Sequence, residues 1–230
     1  MQAATHRYDI AIAGYGGVGK AVAKLLLARR ARYRELYKAD VRLIAVCGSN
    51  AGLLNLEGLE ASAPPLKAGL TGQDFLNAAP VDILIEAGPT DFRDGGPGLG
   101  YMRDALARGR HVIAISKGAL VVDGKGLRTL AVTSGAQLKV SGATAAALPT
   151  IDLLQFNLLG SEVSRIEGIL NGTTNYLLTE MMERDLSFAD ALHQAQQDGI
   201  AEPDPSFDVD GWDTACKMVI IANFGLGAEL

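Results

Sequence analysis

Asp213 and Lys217 stand four residues apart in "DTACKMVIIA", a stretch with helical apolar spacing, so both side chains rise from one face of one helix. Alone, such a pair is an ordinary surface ion pair worth about a few tenths of a kcal/mol. The lead-in changes the weighing. In "AEPDPSFDVDGW", Glu202, Asp204, Asp208 and Asp210 crowd into a proline-broken loop just before that helix. Carboxylates suit a cationic amino group, and a lysine beside them suits proton transfer at a carbonyl oxygen that gains charge during reduction. A divalent cation is the competing use, but the loop lacks the central glycine and terminal glutamate of an EF-hand, and no metal is assigned.

A second set of residues points to a dinucleotide. Gly14, Gly16 and Gly19 in "IAGYGGVGKAVAKLL" fit G-x-G-x-x-G, immediately after an apolar run and opening a helical pattern. The first glycine permits the tight turn, the second lets backbone approach a pyrophosphate, and the third allows the helix to pack on the strand. Gly17 and Val18 lie at the helix mouth, where unpaired N–H groups favour phosphate. The structural alternative is a glycine-rich turn with no ligand. Ser49 follows the second apolar run, which ends Cys47, Gly48, Ser49, Asn50 with no Asp or Glu for the ribose hydroxyls. The missing carboxylate removes an obstacle to a 2′-phosphate and tilts the reading slightly toward NADP over NAD. The run Arg29, Arg30, Arg32 and Arg34 could reach such a phosphate, but is better read as solvating the end of the first helix.

These groups need a scaffold. Residues 8–14, 41–48, 81–88, 111–118 and 137–140 read as nearly continuous apolar strands, with helices over 18–30 and "GLGYMRDALARG" between them. That alternation predicts an α/β fold with a Rossmann-type parallel sheet covered on both faces. The texture changes to small residues in "SGATAAALPTID", so residues 1–147 are expected to form the dinucleotide domain and 148–230 an α+β substrate-binding domain. In the latter, "VSRIEGIL" reads as a strand, 173–184 as a helix, and Ser187 with Asp190 as the capping box of another that ends before Gly199.

Composition bounds the function. The 230 residues are 48% hydrophobic and 20% charged, which suits a globular chain, and the net charge of −5 offers no general attraction to nucleic acid or anionic lipid. No signal peptide or membrane-spanning run is seen, and Cys47 and Cys216 read as buried structural thiols, so the expected compartment is the cytoplasm.

The stretch "GILNGTTNYLLTEM", at 168–181, together with the glycine loop and "AEPDPSFDVDGWDTACK", resembles homoserine dehydrogenase, the enzyme that interconverts homoserine and aspartate 4-semialdehyde with NAD(P) in threonine and methionine biosynthesis. "IEAGPTDF", "GRHVIAISKGAL" and "GATAAALP" follow in the family's order, so the resemblance covers nearly the whole chain. It implies that Lys217 is the acid/base at the substrate oxygen, that Asp213 holds the substrate and orients that lysine, and that Glu202 binds the amino end with Asp208 nearby. It implies that Lys117 reaches the same cleft, serving both catalysis and cofactor, and that Ala87 lies on the cofactor side. Asn171, Gly172 and Thr173, followed by Thr174, line the substrate side, where helix-mouth donors can receive a carboxylate or hydroxyl. N-capping by the threonines is the structural alternative, and both uses can hold. A homodimer is implied as well.

The chain departs from the family in three places. Ser141 replaces a glutamate associated with a structural monovalent cation, so that site is not carried over; Ala145, Ala146 and Ala147 replace common glycines; and the chain stops at "NFGLGAEL", where the family continues, so the substrate domain is expected to be incomplete. The rival readings are a dehydrogenase of another small amino-acid aldehyde and a non-catalytic dinucleotide-binding protein.

Overall fold

Strand β1 (His6–Ala13) and strand β2 (Ala39–Cys47) bury their C-terminal halves almost completely, Ile10 to Ala13 and Leu43 to Cys47. Burial on both faces explains why these runs are apolar throughout and not alternating. The computed structural model describes residues 5–60 and 65–230. Its chain divides into two compact units, Met1–Pro149 and Thr150–Leu230.

The first unit is built on a seven-stranded sheet. With β3 (Ala51–Leu54), β4 (Lys67–Ala68), β5 (Ile83–Glu86), β6 (His111–Ala114) and β7 (Leu138–Lys139), the strand order is β4-β3-β2-β1-β5-β6-β7. From β2 to β7 neighbours are parallel, and β3 and β4 add an antiparallel edge. The order reverses at β1, between β2 and β5. Connections leave in opposite directions there, which opens a crevice at the C-terminal ends of β1 and β5. The edge strands escaped sequence reading because four and two residues are too short to show a period.

Helix α1 (Gly17–Tyr37) continues past residue 30 to a left-handed cap at Lys38. The apolar spacing fades there, but Arg, Leu and Glu sustain a helix on propensity alone. Two of its arginines are engaged by a carboxylate. Arg30 and Arg34 both clasp Asp40, each through two hydrogen bonds of 2.7–3.0 Å. Asp40 lies near the start of β2, about 23 Å of strand from the crevice at Cys47. Helices α2 (Gly72–Ala78), α3 (Gly98–Ala107) and α4 (Gly118–Ser134, kinked at Asp123) complete the layers. Helix α5 (Gly142–Ala145) ends at Ala146 with φ 52°, a left-handed value that glycine adopts without strain.

The second unit is helical among the described residues. Helix α6 (Thr150–Asp152) runs into a π-helical stretch, Leu153–Asn157; then come α7 (Gly172–Arg184), α8 (Phe188–Gln197), α9 (Ser206–Val209) and α10 (Trp212–Ile220). Leu177 packs with Ala191, Ala195 and Ala201 in its core. Ser187 caps α8, its Oγ accepting the Asp190 amide at 3.2 Å. The strand expected over 163–170 does not form: the segment carries no ladder. A strand needs a neighbour to take its amides and carbonyls, and none of the described residues of this unit supplies one.

Candidate active site

At the end of β1, Gly14 has φ +103° and sits so close to β5 that an added Cβ would lie 2.2 Å from the Ala87 carbonyl carbon. A Cβ on Gly19 would stand 1.9 Å from the Gly14 oxygen, so the helix seats directly on the turn. Gly16 and Gly17 differ, with nothing within 4 Å of where a Cβ would be. Two glycines of the motif are thus required by the protein's own packing, whereas Gly16 faces open space, as it must if a pyrophosphate approaches the backbone there. The mouth of α1 has no side-chain cap and no acidic residue in its first turn. Its amides at Gly17 and Val18 remain available to an anion. The residues present therefore fit a dinucleotide. Ser49 is exposed just beyond β2, and burial pushes the neighbouring Cys47 thiol up.

On the other side of the switch point stands a residue that sequence reasoning missed. Glu86 closes β5, fully buried, with Oε1 accepting the Gly88 amide at 2.8 Å and Oε2 accepting the Ser116 hydroxyl. Burial pushes its carboxyl above the usual range, opposed by those hydrogen bonds. The signal was the acid that ends the apolar run "ILIE" in "VDILIEAG", where an unsatisfied charge is not tolerated. Half-buried Lys117 precedes α4, and its amide faces Thr90 Oγ1 at 3.4 Å.

In the second unit, α7, α9 and α10 bring five predicted residues into one hydrogen-bonded cluster. Asn171 is the N-cap of α7: its Oδ1 accepts the Thr174 amide at 2.8 Å. Its Nδ2 donates to Asp208 Oδ1 at 2.7 Å and to Asp213 Oδ2 at 2.9 Å. Thr173 Oγ1 donates to Asp208 Oδ2 at 2.8 Å. Lys217 Nζ donates to Asp213 Oδ2 at 2.6 Å and to the Leu170 carbonyl at 2.5 Å. The cap is therefore Asn171 and not a threonine. Nor is the Asp213–Lys217 pair a surface ion pair, since the two side chains are only 9% and 17% exposed.

The sequence produces this cluster locally. A left-handed turn at Gly211 (φ +84°) sets the start of α10, placing Asp213 in its first turn and Lys217 one turn on. Asp208 comes from α9, one short turn before. Gly172 is exposed with open space around it, and Glu202 is exposed and outside the cluster, its backbone carbonyl accepting from Gln196 at 3.2 Å. Among the described residues no group of three or more His, Cys, Asp or Glu could hold a metal ion, and no helix is long and apolar enough to cross a membrane.

Comparison with known proteins matches both units. Residues 14–141 match the family model described as homoserine dehydrogenase, NAD binding domain, and residues 149–230 match the model described as homoserine dehydrogenase. An NAD(+)-dependent homoserine dehydrogenase of Pseudomonas canavaninivorans is 37% identical, over 97% of this chain and 67% of that protein. A homoserine dehydrogenase of Methanocaldococcus jannaschii is 31% identical, over 95% of this chain and 69% of its own length. The crystal structure of a candidate homoserine dehydrogenase from Archaeoglobus fulgidus superposes with a TM-score of 0.86 at 35% identity, covering 96% of this chain and 70% of that one.

Proposed function

The chain belongs to the homoserine dehydrogenase family of NAD(P)-dependent oxidoreductases, and from that premise we propose that Lys217, oriented by Asp213, moves the proton at the substrate oxygen when homoserine and aspartate 4-semialdehyde interconvert. When bound, the nicotinamide cofactor supplies the hydride acceptor or donor. The observation that carries the reading is the pairing of Lys217 Nζ with Asp213 Oδ2 and Leu170 O, at 2.6 and 2.5 Å. An ammonium has three donors, and these two partners leave one for the oxygen of the substrate. In the reducing direction that donor meets the oxygen as it gains charge; in the oxidising direction the amine takes the hydroxyl proton.

Asp213 is positioned in turn, because Asn171 takes a share of the same oxygen. Asp208 keeps further lone pairs beyond those used by Asn171 and Thr173, and with exposed Glu202 and the open helix mouth at Gly172 it forms the proposed receptor for the amino-acid end. On the cofactor side the proposed contacts are Gly14, Gly16, Gly17, Val18, Gly19, Ser49, Ala87 and Lys117. The β2 end lacks a carboxylate, which admits a 2′-phosphate, yet Arg30 and Arg34 are held elsewhere by Asp40. We propose that both NADP and NAD are used, without a strong preference. The reading includes a homodimer, tested by sedimentation, and a reducing cytoplasmic setting in which the free thiols Cys47 and Cys216 persist.

The test is homoserine oxidation followed as absorbance of the reduced nicotinamide, with NAD and NADP in parallel. Turnover by the wild type that disappears in Lys217→Ala supports the reading. A Lys217→Ala protein with undiminished turnover refutes the role given to Lys217.

A further inference from the structure

Glu86 places a carboxylate in a wholly buried position, 0% exposed, at the lip of the crevice. Its partners come from the two segments that leave the sheet beside it. Oε1 accepts the Gly88 amide at 2.8 Å, after β5; Oε2 accepts the Ser116 hydroxyl, after β6; and the Glu86 carbonyl accepts the Ile115 amide at 2.8 Å. From the side, Gly98 of α3 closes the space, since a Cβ there would lie 3.0 Å from the carboxyl carbon.

The same two segments are locked again farther out. The Lys117 amide faces Thr90 Oγ1, and Gly118 presses so closely on Asp91 that a Cβ would stand 2.1 Å from its carbonyl oxygen. Glu86 is the innermost of these ties and bridges both segments through one group. An aliphatic side chain of equal size would leave the half-buried Gly88 amide and the buried Ser116 hydroxyl without this partner.

We propose that Glu86 is a positioning residue for the nicotinamide half of the cofactor, clamping the strand ends after β5 and β6 so that Ala87, Gly88, Ser116 and Lys117 form a fixed floor beneath it. This rests on the nicotinamide-dinucleotide reading above. A dinucleotide lying across the switch point puts its adenosine half over the end of β2 and its other half over β5 and β6.

The experiment uses Glu86→Leu, Glu86→Gln and Ser116→Ala, with reduced nicotinamide dinucleotide as the fluorescent probe, titrated well below each variant's unfolding transition. Glu86→Leu is expected to raise Kd about tenfold or more and to reduce the emission gain of the bound nicotinamide. Glu86→Gln, which can accept from Gly88 and donate to Ser116, should recover most of that loss. A merely structural role would lower the unfolding temperature and leave the affinity and emission of the folded protein unchanged, and that result overturns the proposal. Should Glu86→Leu not fold, Ser116→Ala decides, because it keeps the acid and removes one tie: a Kd raised about threefold or more supports the clamp, and a smaller change overturns it. A wild type that binds no reduced dinucleotide overturns the cofactor reading itself, and the clamp with it; wild-type binding that the variants leave unchanged overturns the clamp alone.

Discussion

The carboxamide nitrogen of Asn171 lies 2.9 Å from Asp213 Oδ2, the same oxygen that receives Lys217 Nζ at 2.6 Å. One carboxylate oxygen thus joins the cap of α7 to the lysine of α10, and the cap residue also reaches Asp208. Removing Asn171 takes away a helix cap, about 1 kcal/mol, and the donor shared by two carboxylates, about 1–3 kcal/mol more. Asn171→Ala should lose both in denaturant unfolding, and Asn171→Ser should regain only the cap. An Asn171→Ser variant as stable as the wild type would mean that the bridge contributes nothing.

Lys217→Ala should lower kcat by about 10²–10⁴-fold while leaving the cofactor Kd within about twofold. Lys217→Arg should stay slow as well, because a guanidinium keeps its charge but does not hand over a proton. Steady-state kinetics beside a cofactor titration separate the two effects.

The glycines of the loop should divide by mechanism. Gly19→Ala drives a Cβ onto the Gly14 oxygen, 1.9 Å away, and should destabilise the unit by more than about 2 kcal/mol. Gly16→Ala meets no protein atom within 4 Å and should fold normally but bind dinucleotide weakly. Thermal unfolding and binding, measured on both variants, should rank them in opposite order.

Binding titrations with NADP and NAD should give dissociation constants within about tenfold of each other, or ~1.4 kcal/mol. A strong preference for NADP would require a cation at the β2 end that Arg30 and Arg34 do not supply.

Arg30 first, then Arg34, holds the Asp40 carboxyl well below its ordinary value of 3.8. A folded-state depression makes the ionised form the stabilising one. Its contribution is therefore complete above the unfolded value and fades as pH falls below about 3.8 toward the folded one. Asp40→Asn should cost about 1 kcal/mol at neutral pH, and the difference from wild type should shrink only in that acid range. A difference that is already lost at pH 5 would rule out the pairing as its cause.

Much of this protein was legible in order along the chain. The apolar runs of β1, β2, β5 and β6, the glycine loop and the i, i+4 spacing of Asp213 and Lys217 are local properties, and local sequence determines local structure where packing agrees with it. Other features depended on distant partners. Residues 163–170 have strand composition but, among the described residues of their unit, no strand to pair with, and Arg30 and Arg34 of α1 are committed by Asp40, ten and six residues beyond them. Asn171 looked like one polar residue among several until α9 and α10 placed Asp208 and Asp213 against it, 37 and 42 residues later in the chain. Glu86 appeared as a lone acid in an apolar strand, and only the parallel pairing of β5 with β6 brought Ser116 to it. Periodicity and motif spacing carry a residue's helix, strand or loop and the family to which the chain belongs; which carboxylate shares which donor is set by contacts that close only when the chain folds, because hydrogen bonds between distant segments leave no period in the sequence.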